Sequence, residues 1–125
     1  MLAAFAFAAV AVTSARGAAP GDANAGEAIY SRCAACHALA YDRTGPRHCG
    51  LFGRRAGAVP GFDYSDAMKR SRIVWNERTL DRFLADPMTA VPGTSMGYAG
   101  VTDPKEREDL IAYLEHAGSA PSCRK

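Results

Sequence analysis

The chain has 125 residues, of which 48% are hydrophobic and 22% charged, and its formal net charge is +2. That length suits one domain and hardly two, the composition is that of an ordinary globular protein, and the charge is too small to indicate a nucleic-acid partner. Lys and Arg are scattered, with short clusters only at Arg54–Arg55 and at Lys69, Arg70 and Arg72, which read as solvated surface.

Leu2 to Val12 is nearly all Ala, Phe and Val and carries no charge, and Thr13-Ser14-Ala15 follows with small residues that a signal peptidase accepts. The run is shorter than the roughly 20 apolar residues that span a bilayer. Residues 1–19 are therefore expected to be a secretory signal, cut after Ala15 or Ala19, with residues 20–125 as the exported domain. No Lys or Arg precedes the run, and an uncleaved membrane anchor is the alternative.

Beyond it, helical signals dominate and no alternating run argues for a sheet. A first helix is expected from about Asp22, a suitable N-cap, to Ala35, with Ile29 and Cys33 on one face at i, i+4 spacing. A short one is possible at Ser65–Arg70. Another follows Trp75, capped by Asn76, striped by Leu80, Phe83 and Leu84, and stopped by Pro87. The last has Asp103 as cap, Pro104 at the first helical position and Glu106 where a capping box places an acid. Leu110, Ile111, Tyr113, Leu114 and Ala117 repeat along it until Gly118. Turns fall at Thr44-Gly45-Pro46, Val59-Pro60-Gly61 and Val91-Pro92-Gly93. The expectation is an all-α domain of about four short helices joined by long loops, which a large apolar cofactor would organise.

Cys33-Ala34-Ala35-Cys36-His37 is the C-x-x-C-H pattern of c-type haem attachment. Two thiols at this spacing reach the two vinyl groups on one porphyrin edge, and the adjacent imidazole falls beneath the iron as its proximal ligand. A thioredoxin-like pair would open a helix after a strand, and none precedes it. A zinc site would need further ligands at metal-binding spacing. For a sixth ligand the candidates are Met68, Met88, Met96, His48 and His116. Met96 stands apart because it closes the turn-rich Pro92-Gly93-Thr94-Ser95-Met96. His48 and His116 read as surface or packing residues.

On these residues the chain resembles class I c-type cytochromes, the mitochondrial type and its bacterial periplasmic relatives. The likeness runs from Asp22 to Ala117, through Cys33–His37, Gly45-Pro46, Gly50–Arg54, Pro60-Gly61-Phe62, Pro92-Gly93-Thr94 with Met96, and Arg107–Leu114. The resemblance implies the cytochrome c fold and one haem c bound covalently through Cys33 and Cys36. It implies His37 and Met96 as iron ligands, and the Pro46 carbonyl as acceptor of the proximal imidazole N–H. Arg54, Tyr64 and Trp75 would hold or screen the propionates, and Tyr98 would sit near the exposed haem edge. Gly26 and Tyr30 would pack against Leu110, Tyr113 and Leu114.

The likeness also implies a soluble electron carrier rather than an enzyme. It would be monomeric and periplasmic, making transient contacts with a periplasmic dehydrogenase, a quinol-oxidising complex or a terminal oxidase. If the family fold holds, the tail after the last helix can fold back so that Cys49 and Cys123 form a disulfide, as exported thiols tend to.

There are departures from the mitochondrial pattern. The segment between His37 and Gly45 is shorter. Phe83 replaces a Tyr and Met68 an Asn, which removes polar groups near the haem. Met88, Ser95, Thr102 and Asp103 stand where those relatives are basic, so long-range steering of partners should be weak.

Overall fold

The computed structural model describes residues 20–124. The expected signal peptide and its cleavage points after Ala15 or Ala19 lie outside the described residues. Five α-helices follow one another: α1 (Ala23–Tyr30), α2 (Asp66–Arg70), α3 (Glu77–Ala85), α4 (Pro87–Ala90) and α5 (Pro104–Gly118), with a 3-10 turn at Pro121–Cys123. Among the described residues there is no strand, only an isolated bridge between Arg55 and Val74. The all-α expectation holds, with one more short helix than anticipated.

The Asp22 carboxylate caps α1 by accepting from the backbone N–H of Asn24 at 2.9 Å and of Ala25 at 3.4 Å. The helix ends at Tyr30 rather than Ala35. From Arg32 onward the backbone donates three residues back, to Ile29, Tyr30 and Ser31 in turn, and this tighter winding carries the chain off the α-helical path. Cys33 therefore belongs to the turn after α1 and not to its apolar face.

Asn76 and Thr79 form a reciprocal capping box at the start of α3, with bonds of 3.0 and 2.9 Å. Pro87 ends this helix as expected, having no N–H to donate. It also opens α4, since at a first helical position that N–H is not needed. In α5, Asp103 accepts from the Glu106 N–H at 2.9 Å. Glu106 does not complete a box. Its carboxylate takes both guanidinium nitrogens of Arg32 at 2.7 Å, tying the turn after α1 to the start of α5.

The central packing is α1 across α5. A Cβ on Gly26 would overlap the Asp109 carbonyl, so the absent side chain is what lets the two backbones meet. Tyr30 and Tyr113 pack with ring centroids 5.1 Å apart. The Asp22 N–H donates to Asp109 Oδ1 at 2.7 Å. Beneath this crossing lie Leu110, wholly buried, with Ile111 and Leu114 of α5 and Leu80, Phe83 and Leu84 of α3. Each such residue contributes about 1.5–3 kcal/mol by leaving water. Arg107 of α5 holds α3 through Asp81 at 2.8 Å. The loops at 31–65 and 91–103 pack around the open side of this frame. No helix among the described residues is long and apolar enough to cross a membrane.

Candidate functional site

Between the loops and the α3–α5 frame lies a cavity of about 610 Å³, within the range of small-molecule and cofactor pockets. Leu51, Met68, Phe83, Leu84, Leu110 and Leu114 make much of its wall apolar. Cys33, Cys36, His37, Pro46, Arg54, Tyr64, Trp75 and Met96 also line it, so the residues singled out from the sequence converge on one space. Met68 and His48 line it too. Met88 does not and is 52% exposed, and His116 is exposed at the end of α5.

The motif residues are placed by the tight turns after α1. The Cys36 and His37 N–H groups both donate to the Cys33 carbonyl, at 3.1 and 2.9 Å. Cys33 is half-buried and Cys36 exposed, and both are free thiols. Burial pushes the Cys33 thiol up, which keeps it protonated at neutral pH. His37 Nδ1 lies 2.8 Å from the Pro46 carbonyl oxygen. A carbonyl can only accept, so Nδ1 carries the proton and Nε2 keeps its lone pair. Burial lowers the His37 pKa against the opposing pull of that bond. The imidazole is thus a neutral, oriented donor of a nitrogen lone pair. Gly45 lies against the ring so closely that a Cβ there would overlap it.

Arg54 braces the loop behind Pro46. Its two terminal nitrogens donate to the carbonyls of Arg47 and Cys49, at 2.9 and 3.2 Å. Its Nε is buried with no hydrogen-bond partner, although a buried N–H of a guanidinium is costly to leave unpaired. The Tyr64 hydroxyl accepts from the Val59 N–H at 3.2 Å. Trp75 is buried with its ring 5.1 Å from that of Phe83. Met96 is half-buried, and its N–H donates to the Thr94 hydroxyl at 3.2 Å, which anchors the turn that carries it.

One neighbour of His37 was not foreseen. The His48 ring stacks on it with centroids 4.3 Å apart and planes 23° from parallel. Its Nδ1 is hydrogen-bonded to the Tyr30 hydroxyl at 3.0 Å. Burial drives the His48 pKa down to about 3, so the ring is neutral, while the Tyr30 hydroxyl is pushed up to about 12, chiefly by burial. The packing half of the sequence reading of His48 is right, but the sequence carried no sign of which ring it would meet.

Cys49 and Cys123 come together with their Cα atoms 5.1 Å apart. Here the loop beyond Pro46 meets the 3-10 turn after α5.

The residues present fit a covalently held haem. An apolar cavity of suitable size has paired thiols and an imidazole with a free Nε2 in its wall, a thioether on another segment, and an unpaired guanidinium N–H suited to an anionic edge group. Among the described residues no group of three or more His, Cys, Asp or Glu is arranged to hold a metal ion directly, which leaves the zinc alternative without ligands. Among the described residues no strand precedes Cys33, as the thiol-redox alternative would need.

Comparison with known proteins points the same way. The Cytochrome c family profile matches residues 23–118. The chain is 44% identical over 102 residues to cytochrome c of Sesamum indicum, covering 78% of this chain and 92% of that protein. It is 43% identical over 106 residues to cytochrome c2 of Rhodomicrobium vannielii, covering 82% and 85%. Among solved structures, cytochrome cH from Methylobacterium extorquens superimposes with a TM-score of 0.74 at 44% identity, over 76% of this chain and 98% of that one.

Proposed function

The chain belongs to the cytochrome c family, and from that premise we propose that it is a soluble, exported one-electron carrier with a single haem c. In this reading the haem is bonded through Cys33 and Cys36 and ligated by His37 and Met96. The fold is that of the family, and cytochromes c are electron carriers rather than enzymes. The finer assignments rest above all on the bond from His37 Nδ1 to the Pro46 carbonyl. It frees Nε2 for a metal on the side chain adjoining the attachment thiols.

When bound, haem iron supplies a ferric/ferrous couple. The protein's share is to hold, orient and exclude water. Cys33 and Cys36 tether one edge. The Pro46 carbonyl accepts from His37 Nδ1, Gly45 lies against the ring, and the hydrogen bond to Pro46 raises its basicity as a ligand. The turn from Pro92 to Met96 brings the thioether. Ligation by His37 and Met96 would favour the reduced state relative to a His–His pair, and with both side chains engaged the site would offer no position for substrate chemistry. Arg54 offers its unpaired Nε–H to a propionate, with Tyr64 and Trp75 beside it, and the dry wall of Leu, Phe and Met limits reorganisation. Tyr98, which also lines the cavity, would sit near the exposed haem edge.

Residues 1–19 act as the secretory signal, cut after Ala15 or Ala19, and residues 20–125 work in the periplasm as a monomer. There the Cys49–Cys123 contact is a disulfide. Partners are redox proteins met transiently: a periplasmic dehydrogenase, a quinol-oxidising complex or a terminal oxidase. Met88, Ser95, Thr102 and Asp103 are exposed and bring no positive charge, so association should depend only weakly on salt.

The test is spectroscopic and chemical. Acid–acetone extraction should leave the pigment on the polypeptide, and the ferric protein should show the weak far-red band of Met-to-iron bonding. A colourless polypeptide after extraction would refute covalent haem. A missing band at neutral pH, or tight carbon monoxide binding by the native ferrous protein, would refute Met96 as ligand.

A further inference from the structure

His48 and Tyr30 form a polar pair on the cavity side of α1, where the imidazole of His37 meets another flat ring. Three observations bear on its role. The His37 and His48 rings are nearly parallel, with centroids 4.3 Å apart. His48 is anchored at its far side by the Tyr30 hydroxyl, 3.0 Å from Nδ1. Tyr30 in turn is set by α1 packing on α5, where its ring meets Tyr113 at 5.1 Å.

The backbone beneath His48 is equally constrained. Its N–H donates to the carbonyls of Ala38 and Leu39, at 3.2 and 3.1 Å. Arg54 holds the carbonyls of Arg47 and Cys49 on either side of it. A ring so held has little freedom to follow its neighbour, so it acts as a fixed plate.

The bond from His37 Nδ1 to Pro46 alone leaves one soft motion. The imidazole can still rotate about the line from that carbonyl through the ring. A stacked plate opposes this rotation, because turning one ring drives its edge into the face of the other and forfeits dispersion contact.

Resting on the reading that His37 ligates a haem iron, we propose that His48 is a positioning residue. Hung from Tyr30 and stacked on His37, it sets the rotational orientation of the proximal imidazole. The α1–α5 crossing thereby reaches the ligand through Tyr30 and His48 in sequence. In this role His48 acts through the His37 ring.

The experiment uses the holoprotein in three forms, Tyr30→Phe, His48→Leu and the double variant, beside the unaltered chain. Tyr30→Phe removes only the hydroxyl, and His48→Leu removes the flat face while keeping an apolar filler. The readout is the pattern of paramagnetically shifted haem methyl resonances in the ferric protein. It reports the orientation of the axial imidazole plane and does not respond to stability alone. Both single variants should redistribute the methyl shifts, and the double variant should match His48→Leu, since Tyr30 acts through His48.

Unchanged patterns in both single variants would overturn the proposal. So would a Tyr30→Phe effect of equal size in the His48→Leu background. If His48→Leu does not accumulate as holoprotein, Tyr30→Phe alone decides, and an unchanged pattern sinks the idea. Absence of covalent haem in the unaltered chain would instead refute the parent reading of the site, and this inference with it.

Discussion

Gly26 on α1 lies so near the Asp109 carbonyl of α5 that a methyl group placed on it would overlap that oxygen, and it would also press on the Tyr113 Cβ at 2.8 Å. The obstacle is backbone and cannot swing aside. Overpacking costs about 1–3 kcal/mol, whereas alanine gains only about 0.8–1 kcal/mol over glycine in helix propensity. Because the overlap is with backbone, the cost falls in the upper part of that range, about 2–3 kcal/mol, and Gly26→Ala is expected to lower the unfolding free energy by about 1–2 kcal/mol. Denaturant titration of the holoprotein checks this, and an unchanged or higher midpoint would contradict it.

The same crossing holds an acid-sensitive contact. Asp109 Oδ1 accepts from Lys105 Nζ at 2.5 Å and from the Asp22 N–H at 2.7 Å. Chiefly through Lys105, these bonds hold the Asp109 carboxyl below its usual range. The unfolded chain thus takes up the proton first as pH falls. The contact stabilises fully above the ordinary carboxylate pKa, about 3.9, and its contribution is lost as pH drops through the lower folded value. Asp109→Asn should flatten the acid limb of the melting temperature below about pH 4. Parallel limbs for the two proteins would count against the assignment.

Arg72 has φ of +58°, the one non-glycine residue described with a positive φ. An L-residue there costs roughly 1–2 kcal/mol, partly offset because glycine frees the unfolded chain by about 0.4–1 kcal/mol. Its side chain is exposed. Arg72→Gly should raise stability by about 0.5–1 kcal/mol without moving the haem spectrum. A thermal melt that shows a loss would mean the guanidinium holds something its exposure conceals.

Gly45 is the counterpart of Gly26 beside His37, since a Cβ there would overlap that ring. Gly45→Ala should displace that imidazole and stretch its bond to Pro46. The expected result is retained covalent haem with a changed reduction potential and altered haem methyl shifts. A voltammogram and spectrum identical to the unaltered protein would show that the loop yields instead.

If Cys49 and Cys123 are bonded, they close a loop of 74 sequence positions, worth about 4 kcal/mol in the chain-entropy treatment. The double change to serine should cost up to that amount, and mass spectrometry under non-reducing conditions should find no free thiol in the unaltered holoprotein. Two free thiols would dispose of the bridge.

The helix starts were legible because the signals that set them are local. Asp22, Asn76 and Asp103 each accept from N–H groups two or three residues ahead, a relation that a short stretch of sequence contains in full. The end of α1 was not legible. Nothing in the composition of residues 31–36 forbids helix, and the tighter turns there suit the placement of Cys33 and His37 against a cavity wall built by distant loops. Glu106 shows the same limit. Its spacing from Asp103 suits a capping box, yet Arg32, 74 positions away, takes the carboxylate.

From the linear order of residues alone came the C-x-x-C-H motif and the caps, because spacing along one short segment is enough to specify them, whereas Pro46, Arg54, Tyr64 and Trp75 were expected at the site only through the family resemblance. Which ring would lie on His37, which carbonyl would press on Gly26 and where Arg54 would spend its hydrogen bonds became known once the chain had closed on itself. Such contacts join positions far apart in the chain, and their geometry is set by how helices and loops share one finite volume.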